Sequence, residues 1–515
     1  MDWTAGYASG IEYTAGFYRD QSPAYLNFVC VLNGFEPVPL DRPFTYFELG
    51  FGRGLTINVQ AAANPQGRFY GADFNPAHVC GARQLCDAAG LGNLTLLENS
   101  FAELAEGKVD SLPQFDFITL HGIYTWVSRE NREHVARFIK RYLKPGGVVY
   151  VSYNAMPGWA GAVPMQRLLL EYATLHPGRS TDQVEHARQF FGQMMAAKAG
   201  YFVRNPGIEK RLESLKTGDP HYLVHEYMNV HWEPLYHADV ARQLGEEAKV
   251  DYVGSAELPL AFQQLYMNQE KQDLLKSIPD ATLRETVKDY IIDTTFRKDV
   301  FVRGARPMRQ QRYLDCLFQF GLALCVPRDL VSLKMKLAFG EINAREDVHG
   351  PVLDALAERP HSLSELAALP AMQGKSLSQV VQVAALLTAT SQASIYPLQQ
   401  APEAAASAAA LNRVLVGQIQ YGEDYQVLVA PLLGNGVPVA TASSLAYHML
   451  STPDAPRDAA AIASRAWRIM AAQGRKLLRN GAPIEGEQEN VAELAMLIEE
   501  TLTKRVPIWR QLGIL

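Results

Sequence analysis

With 515 residues, 48% hydrophobic and 20% charged, the chain is long enough for about two to four domains with sizeable cores, and its formal charge of −6 gives no general attraction for nucleic acid or anionic membrane. Five cysteines, at 30, 80, 86, 316 and 325, form no C-x-x-C pair, which argues for reduced thiols rather than a disulfide framework. No apolar run approaches the ~20 residues needed to span a bilayer, and Met1-Asp2-Trp3-Thr4-Ala5-Gly6 is not a secretory signal, so a cytoplasmic protein is expected.

Residues 1–43 are rich in aromatics: Trp3, Tyr7, Tyr13, Phe17, Tyr18, Tyr25 and Phe28. Tyr25, Phe28 and Leu32 stand at helical spacing and predict a helix against a sheet edge. The stretch 11–18, a glycine among aromatics without a clean period, reads either as further packing or as a lid over a ligand. Residues 44–49 are a buried strand, ended by glycines at 50, 52 and 54 that lead into a helix over 55–63, stopped by Asn64-Pro65. Strand, glycine turn and helix N-terminus together let a ligand approach the backbone and offer N–H groups to negative charge. A dinucleotide fingerprint would need glycine at 55, where Leu55 stands, and no Gly-Lys-Ser/Thr of a phosphate loop follows.

A second strand, 68–73, ends on Asp73, placed to accept two ribose hydroxyls. Asn75-Pro76 supplies the cap and first turn of the next helix, so Asp73 is not needed as a cap. Strands over 94–97, 115–120 and 148–153, with a helix over 128–143, complete five β units of a parallel sheet covered on both faces. Beyond Trp159 the pattern becomes helical. Residues 160–220 are expected as a helical insertion suited to pairing subunits in a homodimer. Tyr222–Val230 and Val250–Gly254 are then expected as the last two strands. The expected organisation is 1–260 catalytic, 261–340 helical, 341–400 winged-helix-like and 401–515 mainly helical. In the third unit, Ser362-x-x-Glu365 and Ser376-x-x-Gln379 are capping boxes, but 376–385 carries no Lys or Arg, which argues against a DNA role. The alanine-rich 401–410 reads as a linker or short helix. The basic run Arg297, Lys298, Arg303, Arg306, Arg309 and Arg312 reads as a solvated or salt-bridged face, or as a contact for an acidic substrate.

Glu48-x-Gly50-x-Gly52-x-Gly54 resembles the first motif of class I S-adenosylmethionine methyltransferases, and the Leu143-Lys144-Pro145-Gly146-Gly147 turn before the fifth strand resembles the same enzymes. Further stretches occur together: Glu-Tyr-Thr-x-Gly-Phe-Tyr at 12–18, Leu120–Val127, Ser152-Tyr153-Asn154-x-x-Pro157-Gly158-Trp159, His225-Glu226-Tyr227 with Trp232-Glu233-Pro234, and Phe296-Arg297-Lys298-Asp299. They resemble the bacterial methyltransferases that carry a methyltransferase regulatory region after the catalytic domain, a group that includes rickettsial protein-lysine methyltransferases acting on outer-membrane protein. The resemblance covers 1–310 well and 345–397 loosely. It implies an α/β, Rossmann-like sheet of seven strands followed by mainly helical domains. It also implies S-adenosylmethionine as cofactor, held by Tyr13, Tyr18, Glu48, Gly50, Gly52, Gly54, Asp73, Phe74, Ser100, Phe101 and His121. Ser100 departs from the acid usual at its place. His121 reads as an adenosine contact, a general base or a core histidine.

Methyl transfer from a sulfonium is an in-line displacement that needs positioning and an uncharged nucleophile. Tyr124 and Trp126 after strand four, with Tyr153, Asn154 and Trp159 after strand five, are the expected catalytic set lining an acceptor channel; the alternative is packing at the sheet rim. Glu226 either orients a lysine amine or ties down backbone. His221, His225, His231 and His237 lack companion cysteines and read as structural, so no metal is expected. No Asp/Asn-Pro-Pro-Tyr/Phe follows strand four, which disfavours planar amide or base nitrogens. The expectation is an enzyme that N-methylates lysine on a protein, without nucleic acid or membrane insertion. The alternatives are a small-molecule N- or O-methyltransferase with a C-terminal dimer scaffold, and a cofactor-binding regulator without catalysis.

Overall fold

The computed structural model describes residues 15–176, 178–205, 207–208, 227–453, 455–479 and 481–515. The first five strands are β1 (Thr45–Leu49), β2 (Arg68–Asp73), β3 (Leu94–Glu98), β4 (Phe115–Leu120) and β5 (Leu143–Asn154). With β6 (Asp251–Ser255) and β7 (Phe296–Val302) they form a seven-stranded sheet in the order β3-β2-β1-β4-β5-β7-β6. The first five are mutually parallel; β7 runs antiparallel between β5 and β6. Chain order reverses between β1 and β4, which opens a crevice at the strands' carboxyl ends.

Helices α1 (Pro23–Leu32), α2 (Leu55–Ala63) and α3 (Pro76–Ala89) contribute to one face and its core, α4 (Phe101–Glu106) and α5 (Arg129–Tyr142) to the other. The local signals hold. Ser22 caps α1, Asn75 caps α3 with proline in its first turn, and Ser100 and Glu103 form a capping box on α4.

Two expectations need correction. Among the described residues of 222–230 no strand forms: Tyr227 and Met228 pack in the core of the 160–208 insertion, and the nearest pairing to the sheet is one bridge between Ala155 and Leu235. Residues 222–226 lie outside the described residues. The seventh strand is instead β7, from a segment expected to be helical, with its basic run a solvated or salt-bridged face; the salt-bridged alternative is the one observed. Arg297 is buried and Lys298 half-buried because partners meet them: Arg297 bonds Asp299 of the same strand together with Asp289 and Glu285, and Lys298 bonds Asp20 and Glu257. Farther along, Arg312 pairs with Glu36 and Arg303 donates to the carbonyls of Lys140 and Leu143. The catalytic sheet therefore closes only at Val302, past the boundary expected at 260.

After β7 come β8 (Phe320–Leu324), the hairpin β9 (Lys334–Leu337) and β10 (Gly340–Asn343), and β11 (His361–Ser362) and β12 (Ala393–Pro397). Three helices and a strand follow one another over 346–397, with the expected capping boxes at Ser362 and Ser376. β8, which precedes them in the chain, lies between β11 and β12. In the helix Leu377–Ala389, Val380, Val381 and Val383–Thr388 are buried. The alanine-rich stretch is a full helix, Ala404–Gly417, packed on α2 and α3. A hairpin of β13 (Val427–Ala430) and β14 (Asn435–Pro438) also packs on α2. Leu411, Val427 and Leu428 thus share one hydrophobic core with Val59 and Ala61 of α2.

Candidate cofactor site

Gly50, Gly52 and Gly54 all have left-handed backbone, with φ of 66°, 58° and 73°. Their lack of side chains serves different ends. A Cβ on Gly54 would lie 2.4 Å from Ala82 Cβ, so this glycine brings α2 against α3; one on Gly50 would meet Ile123 Cδ1 at 2.6 Å. A Cβ on Gly52 would meet nothing within 4 Å, so this position faces open space. The Gly52 N–H donates to Asp73 Oδ2 at 2.9 Å, and Asp73 Oδ1 accepts from Asn75 N–H at 2.9 Å with His78 Nδ1 3.3 Å away. Asp73 at the end of β2 is thereby fixed across the crevice from the turn that ends β1.

Glu48 is buried on β1. Its Oε1 accepts from Gln21 Nε2 at 3.4 Å, while Glu48 Oε2 and Gln21 Oε1 are buried without a hydrogen-bond partner. Burial pushes the Glu48 carboxyl up to about 8, against the Gln21 bond, with Asp73 adding to the rise. His121, just beyond β4, stacks on Tyr18 with ring centroids 3.8 Å apart, and its Nδ1 lies 2.8 Å from the Tyr150 hydroxyl. Burial, reinforced by the Lys298 cation, pushes His121 down to about 3, so the imidazole is neutral at physiological pH. Phe296, the first residue of β7, meets the His121 ring edge-on at 5.8 Å and is 37% exposed.

The structure brings together Tyr18, Glu48, the three glycines, Asp73 and His121. Phe74 and Phe101 are half-buried next to them, Phe101 Cζ being 3.8 Å from a Cβ built on Gly50. The Ser100 hydroxyl is engaged in the α4 capping box: it accepts from Glu103 N–H and donates to Glu103 Oε2. Tyr13 and Glu226 lie outside the described residues.

The expected acceptor channel divides. Tyr124 and Tyr153 do not line it; both are fully buried in the core on the α5 face, donating to Gln243 Oε1 at 2.8 Å and to Asp299 Oδ2 at 2.6 Å. Strand alternation explains Tyr153: Tyr150, an odd number of residues earlier, faces the opposite core. Trp159 donates to the Thr295 carbonyl at 2.8 Å and packs edge-on to Trp232, which also contacts half-buried Trp126. These indoles join the core of the insertion. Asn154 is 5% exposed, and its Nδ2 is buried without a partner at the end of β5. Sequence reading did not place Gln21, Lys298 or Phe296 at the crevice. The signal available was the Phe-Arg-Lys-Asp stretch itself.

These residues fit S-adenosylmethionine. The Gly52 position leaves room for a ligand against backbone, Asp73 presents a carboxylate for ribose hydroxyls, and the two donorless oxygens of Glu48 and Gln21 suit an ammonium group. Among the described residues no helix is long and apolar enough to cross a membrane, and no cluster of His, Cys, Asp or Glu is arranged to hold a metal.

Comparison with known proteins agrees with this geometry. Residues 47–147 match the family model described as a methyltransferase domain, and 219–303 match one described as a predicted methyltransferase regulatory domain. That second stretch supplies both β6 and β7. The uncharacterized protein sll1526 of Synechocystis is 36% identical over 517 residues, covering 100% of both chains. The uncharacterized protein RP789 of Rickettsia prowazekii is 24% identical across 42% of this chain and 41% of its own. Among solved structures, PKMT2 of Rickettsia typhi in complex with AdoHcy superposes with a TM-score of 0.70 at 17% identity, covering 98% of this chain and 99% of that one.

Proposed function

Since the chain belongs to the bacterial S-adenosylmethionine-dependent methyltransferases with a methyltransferase regulatory region, we propose that it N-methylates lysine side chains of a protein substrate. The observation that carries this reading is the uncharged aromatic mouth formed by Tyr18, His121 and the 37%-exposed Phe296 at the sheet's carboxyl edge. A lysine must shed its proton before it can attack, and an apolar aromatic wall favours the neutral amine while covering the four-carbon stem. The cofactor, when bound, supplies an electrophilic methyl group on a sulfonium.

The chain's own residues prepare that site in three ways. Gly52 keeps the backbone accessible, and Asp73, oriented by the Gly52 and Asn75 N–H groups, offers its remaining lone pairs to hydroxyls. The neutral His121 adds no positive charge where a cation must sit. Lys298 is matched by Asp20 at 2.5 Å and Glu257 at 2.7 Å, so it does not repel a cationic ligand as a lone ammonium would. The likeness to PKMT2 across the appended regions and the motifs shared with rickettsial protein-lysine methyltransferases support a protein acceptor. A platform of this size exceeds what a metabolite pocket requires.

The test is incubation with methyl-labelled cofactor and fractionated bacterial lysate, followed by acid hydrolysis of the protein fraction. Label recovered as methylated lysine is the expected result. Label confined to small molecules would refute the protein acceptor and favour a metabolite enzyme.

A further inference from the structure

Three consecutive residues beside the cofactor crevice send their side chains to three different parts of the chain. Arg19–Gln21 is a single 3-10 turn. Gln21 reaches Glu48 on β1. Asp20, buried, receives Lys298 Nζ of β7 at 2.5 Å, and the same ammonium bonds Glu257 at 2.7 Å. Burial alone would raise the Asp20 carboxyl, but Lys298 and Arg19 hold it below the usual range. The Arg19 guanidinium donates to Ser391 Oγ at 2.7 Å and to the Ala389 carbonyl at 2.8 Å, while its own carbonyl accepts from Asn435 Nδ2 at 3.0 Å. Asn435 Oδ1 in turn accepts from Gln60 on α2 at 2.8 Å.

The receiving end is shaped for this contact. Ala389 closes the 13-residue helix Leu377–Ala389, so the guanidinium meets its carbonyl at the negative end of a helix dipole. Ser391 has φ +60°, a left-handed conformation unfavourable for a non-glycine residue, and its hydroxyl accepts from Arg19. A three-residue turn preceded by irregular chain cannot fix its own position. These long-range bonds act together with local ones, Tyr18 N–H on Thr56 Oγ1 at 3.0 Å and the Tyr46 hydroxyl on the Gln21 carbonyl at 3.2 Å, to hold Tyr18 on His121 and Gln21 on Glu48. Behind Tyr18, the Phe17 ring packs so close to Gly436 that a Cβ there would lie 2.8 Å from its Cζ.

We propose that the Arg19–Gln21 turn couples cofactor binding to the regulatory stretch that completes the sheet and to the appended C-terminal region, with Arg19 and Asp20 as positioning residues: the regulatory stretch acts through Lys298 and Glu257, and the C-terminal region through 389–391 and Asn435. Coupling is reciprocal, so a ligand that needs Tyr18 and Gln21 in place also stabilises the distant contacts. The inference stands whichever acceptor is methylated.

The test uses the full chain and S-adenosylhomocysteine, with affinity read by calorimetry and amide hydrogen exchange read by mass spectrometry. Arg19→Ala and Asp20→Asn are each expected to weaken affinity about tenfold, within the usual range of coupling. In the parent, the ligand should slow exchange over 388–392 and 434–437, and Arg19→Ala should abolish that protection. Arg312→Ala, which breaks the separate ion pair with Glu36, should change neither readout. If Arg19→Ala does not fold, Ser391→Ala combined with Asn435→Ala carries the same expectation. Affinity within twofold of the parent in a folded variant, or exchange over 388–392 indifferent to the ligand, would overturn the proposal.

Discussion

Cofactor binding should expel a proton from Glu48. The ligand-free carboxyl is held at about 8 by burial, so at pH 7 about 0.9 of it is protonated. Its Oε2 and the neighbouring Gln21 Oε1 lack donors, and an ammonium arriving there favours the carboxylate. Binding of S-adenosylhomocysteine at pH 7 should then release close to one proton, and the Kd should fall about tenfold between pH 6 and pH 7. The same shift acts on stability in the opposite sense. The folded value lies above the ordinary 4.5, so the unfolded chain loses its proton first as pH rises. Stability contributed by protonated Glu48 is therefore fully present below about pH 4.5 and gone above about pH 8, a difference on the order of 5 kcal/mol. Calorimetry in buffers of different ionisation enthalpy counts the released proton directly. Glu48→Gln keeps the shape, releases none and should flatten the pH dependence. Equal proton release by parent and variant, or none by the parent, would refute the assignment.

Gly52→Ala and Gly54→Ala should separate ligand space from packing. Both force a left-handed alanine costing about 1–2 kcal/mol, but only the residue at 52 enters open space, so it should lose S-adenosylhomocysteine affinity with a modest fall in Tm. Gly54→Ala drives a methyl into Ala82 and should show the larger Tm loss; unchanged affinity in Gly52→Ala would contradict the cradle. Tyr153→Phe removes a buried donor to Asp299 and should cost about 1–2 kcal/mol by denaturation while leaving ligand affinity near the parent's. A loss of turnover without a loss of stability would return Tyr153 to the acceptor site.

What the sequence determined by itself was what short-range chemistry dictates. The glycine turn after β1, the acid ending β2, the Asn75-Pro76 helix start and the capping boxes at Ser362 and Ser376 are each set by residues within a few positions of one another, so their patterns are readable without knowing the fold. The tertiary structure alone decided which distant groups meet. Arg297 and Lys298 look like solvent-facing charges until Asp289, Glu285, Asp20 and Glu257 are brought beside them, and only then can their segment be an interior strand. Tyr153 stands near the end of β5, the right place for an acceptor channel, yet the face a strand residue presents depends on which side its neighbours pack. The bonds from Arg19 to Ser391 and Asn435 span more than 370 residues. A polar side chain in the sequence advertises a capacity to bond, and only the fold supplies the partner and the loss of water that make the bond matter.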